Sequence, residues 1–224
     1  MRKNYFITGT DTDCGKTLIT EALLLKAREQ GLRAVGLKPL AAGATATEEG
    51  LRNGDALRLQ RASTIDLRYE QINPVVFEPP IAPHIAATRA GKRITISTLT
   101  GYVRGAMSYP ADLRLIEGAG GWLVPINEME SLSSLPEELG VDVILVVGMK
   151  LGCLNHALLT ARAIRQSGVH LAGWAATQVD PQMYCVEENL ASLKNMLGSP
   201  FLGFVPYIES VTAERAASFL QLPV

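Results

Sequence analysis

Cysteine is scarce in this sequence. Its 224 residues contain only Cys14, Cys153 and Cys185, too few and too scattered for a disulfide framework or a zinc site. Reduced thiols in a cytoplasmic compartment are expected. The histidines His84, His156 and His170 share no metal-ligand spacing. An excess of either charge is also missing. Lys and Arg number 21 against 22 Asp and Glu, a formal net charge of -1, which gives no electrostatic footing for nucleic acid or an anionic membrane. No apolar run approaches the length of a membrane span. Met1-Arg2-Lys3-Asn4 leads straight toward a strand without a signal-peptide core. Repeats, low-complexity tracts and linkers are absent, so one domain over 1–224 is expected.

What is present is a rhythm. Short apolar runs alternate with longer amphipathic ones, the pattern of βα units on a mostly parallel sheet flanked by helices. The sequence predicts strands at 4–8, 33–38, 112–117, 142–148, 171–177 and 201–205. It predicts helices at 16–30, 54–62, 96–108, 131–139, 156–167, 182–197 and 211–220. Gly31 and Gly168 would close two of these helices, and Asn155 or a neighbour would cap the one at 156. Residues 40–95, rich in Ala, Gly, Thr and Pro, are the least regular and the expected place for substrate loops.

The stretch Gly9-Thr10-Asp11-Thr12-Asp13-Cys14-Gly15-Lys16-Thr17 follows the apolar Tyr5-Phe6-Ile7 and opens into a helical run, Leu18 to Leu25. Strand, glycine-bounded loop, Gly-Lys-Thr and helix make a P-loop, with a fold of the P-loop NTPase kind. Backbone N–H groups and the helix N-terminus surround phosphate oxygens, Lys16 reaches the β- and γ-phosphates, and the Thr17 hydroxyl binds Mg²⁺. Asp13, Cys14, Gly15 and Leu18 belong to the same cradle. Five residues separate Gly9 from Gly15, one more than usual, so Gly-Lys-Thr carries most of the signal. Cys14 would be open to thiol reagents but has no catalytic partner.

In an open parallel sheet, ligands bind beyond the carboxyl ends of the strands. Lys38, Glu117, Gly148, Thr177 and Pro206 all end predicted strands and should share one edge with the P-loop. Glu117 precedes Gly118-Ala119-Gly120-Gly121, and an acid so placed can bind Mg²⁺ while the small residues admit phosphates closely. Lys38 is held extended by Pro39. It reads equally well as a stabiliser of phosphoryl charge and as a solvated strand-end lysine. Asp55, after Asn53-Gly54, reads by spacing as a helix cap. Asp11 and Asp13 beside phosphates are unfavourable unless a metal or a cationic substrate amine compensates, and otherwise both read as solubilising loop residues. The helix entered by Lys150-Leu151-Gly152-Cys153-Leu154-Asn155-His156 could hold a carboxylate.

These motifs resemble the dethiobiotin synthetase family. The resemblance rests on Thr8-Gly9-Thr10-Asp11-Thr12, Gly15-Lys16-Thr17, Lys38-Pro39, Gly50-Leu51-Arg52-Asn53 with Asp55-Ala56-Leu57, and Asn73-Pro74. It continues through Glu117-Gly118-Ala119-Gly120-Gly121-Trp122, Gly152-Cys153-Leu154-Asn155-His156-Ala157 and Leu171-Ala172-Gly173-Trp174. It implies an ATP- and Mg²⁺-dependent ligase acting on 7,8-diaminopelargonate and CO₂ or bicarbonate. It assigns Mg²⁺ to Thr17, Asp55 and Glu117, which raises Asp55 above a cap. Thr12 and Lys38 map to the carbamate end of the substrate, and Gly152, Cys153, Leu154 and Asn155 to its carboxylate end. Thr177, Gln178, Pro206, Tyr207 and Ile208 map to the base pocket. A homodimer is also implied.

Two positions depart from the family. Ala42 stands where a serine usually contacts substrate, a loss of about 0.5–1.5 kcal/mol. Thr177 stands where an asparagine usually reads the base, which leaves nucleotide preference open. A regulatory P-loop ATPase of the septum-placement or partition type would carry an extra lysine in the loop, and Thr10-Asp11-Thr12 supplies none. Its membrane-binding members also carry a basic amphipathic tail, and the end Phe219 to Val224 is neither basic nor long. A paralogue that binds nucleotide without synthesis is the remaining alternative.

Overall fold

A strand covered on both faces needs side chains for two cores, and β1 (Lys3–Gly9) supplies them. Tyr5 and Ile7 enter one core and Phe6 the other. The computed structural model describes residues 3–223. Met1, Arg2 and Val224, which the sequence reading includes at its ends, lie outside the described residues. The chain continues through α1 (Lys16–Glu29), β2 (Ala34–Leu37), β3 (Leu40–Ala42), β4 (Ala44–Thr47), β5 (Gly50–Asn53), α2 (Gly54–Ala62), α3 (Tyr69–Ile72), β6 (Val75–Phe77), α4 (Pro83–Arg89) and α5 (Ile96–Met107). It then forms β7 (Leu113–Glu117), α6 (Ser134–Leu139), β8 (Asp142–Met149), α7 (Cys153–Gln166), β9 (Leu171–Gln178), α8 (Val186–Met196), β10 (Phe201–Val205) and α9 (Ala213–Ala217).

The main sheet has six strands in the order β10-β9-β8-β1-β7-β2, and its pairings are all parallel. From β1 the chain crosses to β2, returns to insert β7 between them, and then passes to the far side of β1 with β8. That reversal beside β1 is a topological switch point, where such sheets open a crevice at their carboxyl ends. Ile7 is level with Glu117 and Gly148 with Thr177, so the predicted convergence of strand ends is present.

Alternation along the strands divides the interior. In β8, Val143, Leu145 and Val147 join the core that α5, α6, α7 and α8 cover, through Leu99, Leu135, Ala161 and Leu193. Ile144 and Val146 join the core under α1 and α9, through Ile19, Leu23 and Ala216. Each fully buried Leu or Ile contributes about 1.5–3 kcal/mol.

Most predicted elements stand where the spacing puts them, including 54–62 and 201–205. Gly31 closes α1 with φ 72. Three expectations change. Helix α7 starts at Cys153 behind Gly152 (φ 92) rather than behind Asn155, because the left-handed glycine turns Cys153 and Ala157 into the core. The expected 131–139, 182–197 and 211–220 helices are the shorter α6, α8 and α9. Within 40–95 there is regular structure: a parallel β3–β6 pair, an antiparallel β4–β5 hairpin, and α3 and α4. Its strands are three or four residues long, and β4 buries only Ala44, so no hydrophobic alternation announces them.

Candidate active site

Two left-handed residues shape the P-loop, Asp13 at φ 55 and Gly15 at φ 91. Such turns direct successive backbone N–H groups to one side, where an anion can sit. A Cβ at Gly15 would also stand 2.7 Å from Thr177 Oγ1, so both conformation and contact require glycine there. Cys14, between them, points inward. It is 2% exposed, its sulfur lies 3.5 Å from the Val146 carbonyl oxygen, and a side chain at Gly9 would collide with it. Access for thiol reagents is therefore not what the fold provides.

Lys16 opens α1 and is buried. Its Nζ donates to the Asp11 carbonyl at 2.9 Å and lies 3.8 Å from the Cys14 sulfur. Asp11 is held from the far side by Lys150, at 2.9 Å. That hydrogen bond lowers the Asp11 pKa and raises that of Lys150. The carboxylate expected to attract a cationic substrate is thus already paired within the chain. Asp13 is exposed beside the cavity.

A denser cluster lies at the ends of β1, β2 and β7. Glu117 is fully buried, and its Oε1 accepts from the Thr17 hydroxyl at 2.8 Å and from Lys38 Nζ at 2.6 Å. Lys38 Nζ also stands 3.1 Å from Asp55 Oδ2. Burial alone would pull the Lys38 pKa down, but Glu117 and Asp55 together outweigh it and hold the amine above its usual value. Burial would push Asp55 up, yet Lys38, with smaller help from Thr17 and Arg58, holds it below its usual value. Lys38 is therefore held as an ammonium at neutral pH, which suits a fixed cation rather than a base.

Asp55 does not cap α2. Asn53 does, with its side-chain oxygen accepting from the Ala56 N–H at 3.2 Å. The cap frees Asp55, one residue into the helix, to face Lys38. Glu117 Oε2 is buried with no hydrogen-bond partner among the described residues. A bare buried carboxylate oxygen is costly. Together with the Thr17 hydroxyl and Asp55, it forms the all-oxygen donor set that suits Mg²⁺. The residues present fit that ion.

A cavity of about 1030 Å³ runs over this cluster. Thr12, Asp13, Gly15, Lys16, Thr17 and Leu18 line it together with Lys38, Ala42, Asp55, Ala119 and Gly120. An apolar wall, Pro80 to Pro83, completes the lining. Gly118 is not in the lining and packs on Phe6 instead.

A protein-family model described as an AAA domain matches residues 3–215. The ATP-dependent dethiobiotin synthetase BioD of Cellvibrio japonicus (strain Ueda107) is 51% identical over 99% of this chain and 96% of its own length. The enzyme of the same name from Pseudomonas aeruginosa (strain UCBPP-PA14) is 50% identical over 97% and 96%. The chain belongs to the dethiobiotin synthetase family. Among solved structures it is similar in fold to the MinC:MinD cell division protein complex of Aquifex aeolicus, with TM-score 0.56 and 15% identity over 99% of this chain and 87% of that one. It is also similar to the cell division protein FtsY of Thermotoga maritima, with TM-score 0.55 and 18% identity over 96% and 64%.

The base-pocket and carboxylate-end residues matched to the dethiobiotin synthetase family are not among the residues that line the main cavity. Thr177 ends β9 against Gly15, and its buried hydroxyl has no partner among the described residues. Gln178 is engaged at both ends: its Nε2 donates to the Asp180 carbonyl at 3.1 Å and its Oε1 accepts from the Tyr207 N–H at 3.3 Å. That link brings Pro206, Tyr207 and Ile208 beside Thr177. Gly152, Cys153, Leu154 and Asn155 form the start of α7 outside the cavity lining, with Cys153 buried and Asn155 exposed.

Sequence reasoning missed Arg58, the Asn53 cap and the pairing of Lys150 with Asp11. Arg58 stands one helical turn after Asp55, lines the cavity, and bonds Glu21 of α1 at 2.6 Å. An i,i+3 search along α2 from Asp55 would have found it. Lys150 carries no local signal, since its partner is 139 residues away.

Proposed function

We propose that this chain closes the cyclic urea of dethiobiotin from 7,8-diaminopelargonate and CO₂, driven by ATP. One amine takes up CO₂ as a carbamate. The carbamate oxygen attacks the γ-phosphoryl group of ATP, ADP leaves, and a mixed carbamic–phosphoric anhydride forms. The second amine attacks the carbamoyl carbon and phosphate departs. Charge develops mainly on phosphoryl oxygens, so positioned cations and N–H donors carry most of the catalysis.

The observation that carries this reading is the meeting of Lys16, Thr17, Lys38, Asp55 and Glu117 at one end of the sheet. The P-loop N–H groups and the N-terminus of α1 hold the triphosphate. Lys16, released from the Asp11 carbonyl, pairs with phosphate oxygens. Lys38, an ammonium, faces the carbamate and the transferring group. Mg²⁺ on Thr17, Asp55 and Glu117, when bound, neutralises phosphate charge. Thr12 and Ala42 flank the carbamate end. The apolar wall of Pro80 to Pro83 suits the aliphatic chain of the diamine.

The substrate carboxylate meets Gly152, Cys153, Leu154 and Asn155 at the start of α7. Because those residues lie outside the cavity, a second copy of the chain belongs to this reading. Leu151 and Leu159, 95% and 59% exposed on that side, suit a homodimer contact. Thr177, Gln178, Pro206, Tyr207 and Ile208 receive the base. One catalytic unit spans the chain, and the free thiols Cys14, Cys153 and Cys185 suit a cytoplasmic setting.

The test is a mass spectrum of the products from protein, diaminopelargonate, bicarbonate, Mg²⁺ and ATP, with a control lacking the diamine. Dethiobiotin in the complete mixture alone is the expected result. Phosphate release that is equal with and without the diamine, and no dethiobiotin, would overturn the ligase.

A further inference from the structure

Lys38 follows β2 and Asp55 lies in the first turn of α2, yet their side chains stand 3.1 Å apart. A buried chain of hydrogen bonds closes the circuit behind them. The Asn53 N–H donates to the Tyr69 hydroxyl at 2.7 Å. That hydroxyl donates to Asn73 Oδ1 at 2.8 Å. Asn73 Nδ2 donates in turn to the Lys38 carbonyl at 2.6 Å and to the Val75 carbonyl at 3.3 Å. Two carbonyls on the amide nitrogen leave only one orientation for Asn73, so its oxygen must face Tyr69. Asn53 caps α2 and thereby sets the helical turn that carries Asp55.

Tyr69 lines no part of the cavity. It is 6% exposed, with Asn53 at 5% and Asn73 at 2%, so water does not substitute for its hydroxyl. Burial, the largest influence, raises the phenol pKa, so the donor to Asn73 persists at neutral and moderately alkaline pH. The Arg52 guanidinium lies 4.2 Å from the ring centre and fixes the ring plane.

We propose that Tyr69 is a positioning residue for the reaction: its hydroxyl, bridging Asn53 and Asn73, sets the distance between the Lys38 ammonium and the Asp55 carboxylate. The inference rests on the nucleotide–Mg²⁺ reading of the site. Residues that orient metal ligands from behind change metal affinity without touching the metal, and here one phenolic oxygen joins Asn53 to Asn73.

The experiment compares wild type with Tyr69→Phe, which removes one oxygen and keeps the ring. Mg²⁺ titrated calorimetrically into the protein–ADP complex should bind about tenfold more weakly in the variant. Its kcat should fall with an unchanged KM for diaminopelargonate, and ADP affinity without Mg²⁺ should be unaltered. Asn73→Ser cuts the same bridge at the Lys38 end and carries the same expectation if Tyr69→Phe does not fold. A lower Tm with wild-type Mg²⁺ affinity and kcat would reduce Tyr69 to a core residue and overturn the proposal. If wild type binds ADP with no response to Mg²⁺, the site reading fails first, and the bridge with it.

Discussion

Lys16 and Lys38 bring two cations to one cavity from regions built on different physics. The P-loop region, 9–17, is shaped by backbone: left-handed Asp13 and Gly15, an inward Cys14, and the start of α1. Lys16 rests there on a single carbonyl and a nearby sulfur. The region 38–95 is shaped by side chains. Lys38 is locked between two carboxylates, and its own carbonyl is held by Asn73. A backbone-built site can lose its functional side chain and keep its shape, whereas a site built from side chains loses both together.

Replacing each lysine makes that contrast measurable. Lys16→Ala should lower dethiobiotin formation by about 10²–10³-fold, the scale of one lost transition-state donor, while leaving Tm near the wild-type value. Wild-type turnover by this variant would remove Lys16 from the phosphate site. Lys38→Met should cut the rate without a matching loss of nucleotide binding. It should also destabilise the fold by about 3–5 kcal/mol, because Glu117 is left buried without its ion-pair partner. Urea unfolding reads that difference, and equal stability of the two variants would break the comparison.

The same contrast explains what was legible beforehand. Gly9, Gly15, Lys16 and Thr17 are neighbours in sequence, so their spacing alone announces the loop and its placement after β1. Strand-end positions of Lys38 and Glu117 follow from apolar runs, and the parallel order then brings them together. The parts that were not legible depend on distant partners. Asp55 reads as a cap by spacing, and only the fold assigns the cap to Asn53 and frees Asp55 for Lys38. Lys150 meets Asp11 across 139 positions. The short strands β3, β4 and β6 exist because they pair with one another and with a hairpin partner, not because three or four residues prefer to be extended.

Asn53→Ala sharpens the comparison on a smaller scale. It removes the α2 cap and the Nδ2 bonds to the Gly43 and Ala42 carbonyls. A lost cap costs about 1–2 kcal/mol. Because α2 carries Asp55, the activity loss should exceed that expected from reduced stability alone. Rates measured well below the variant's Tm separate the two, and a fully active folded variant would show that Asp55 needs no such support.

The smallest effect concerns acid. Asp55 has a folded pKa below its ordinary 3.8, so its contribution to stability is present above that value and disappears as pH falls through the folded pKa. Lys38 has a folded pKa above its ordinary 10.5, so its contribution is complete below 10.5 and disappears only in stronger base. The pair therefore stabilises the fold across the neutral range and fails at both extremes. Asp55→Asn should be less stable than wild type at neutral pH, and the gap should close as pH drops below about 4. The Asp55 side chain is 44% exposed, so solvent screens its interaction and keeps the gap small. Tm measured against pH for both proteins decides the point. A gap that stays constant into acid would mean that the Asp55 charge contributes nothing, and that Glu117 alone holds Lys38 in place.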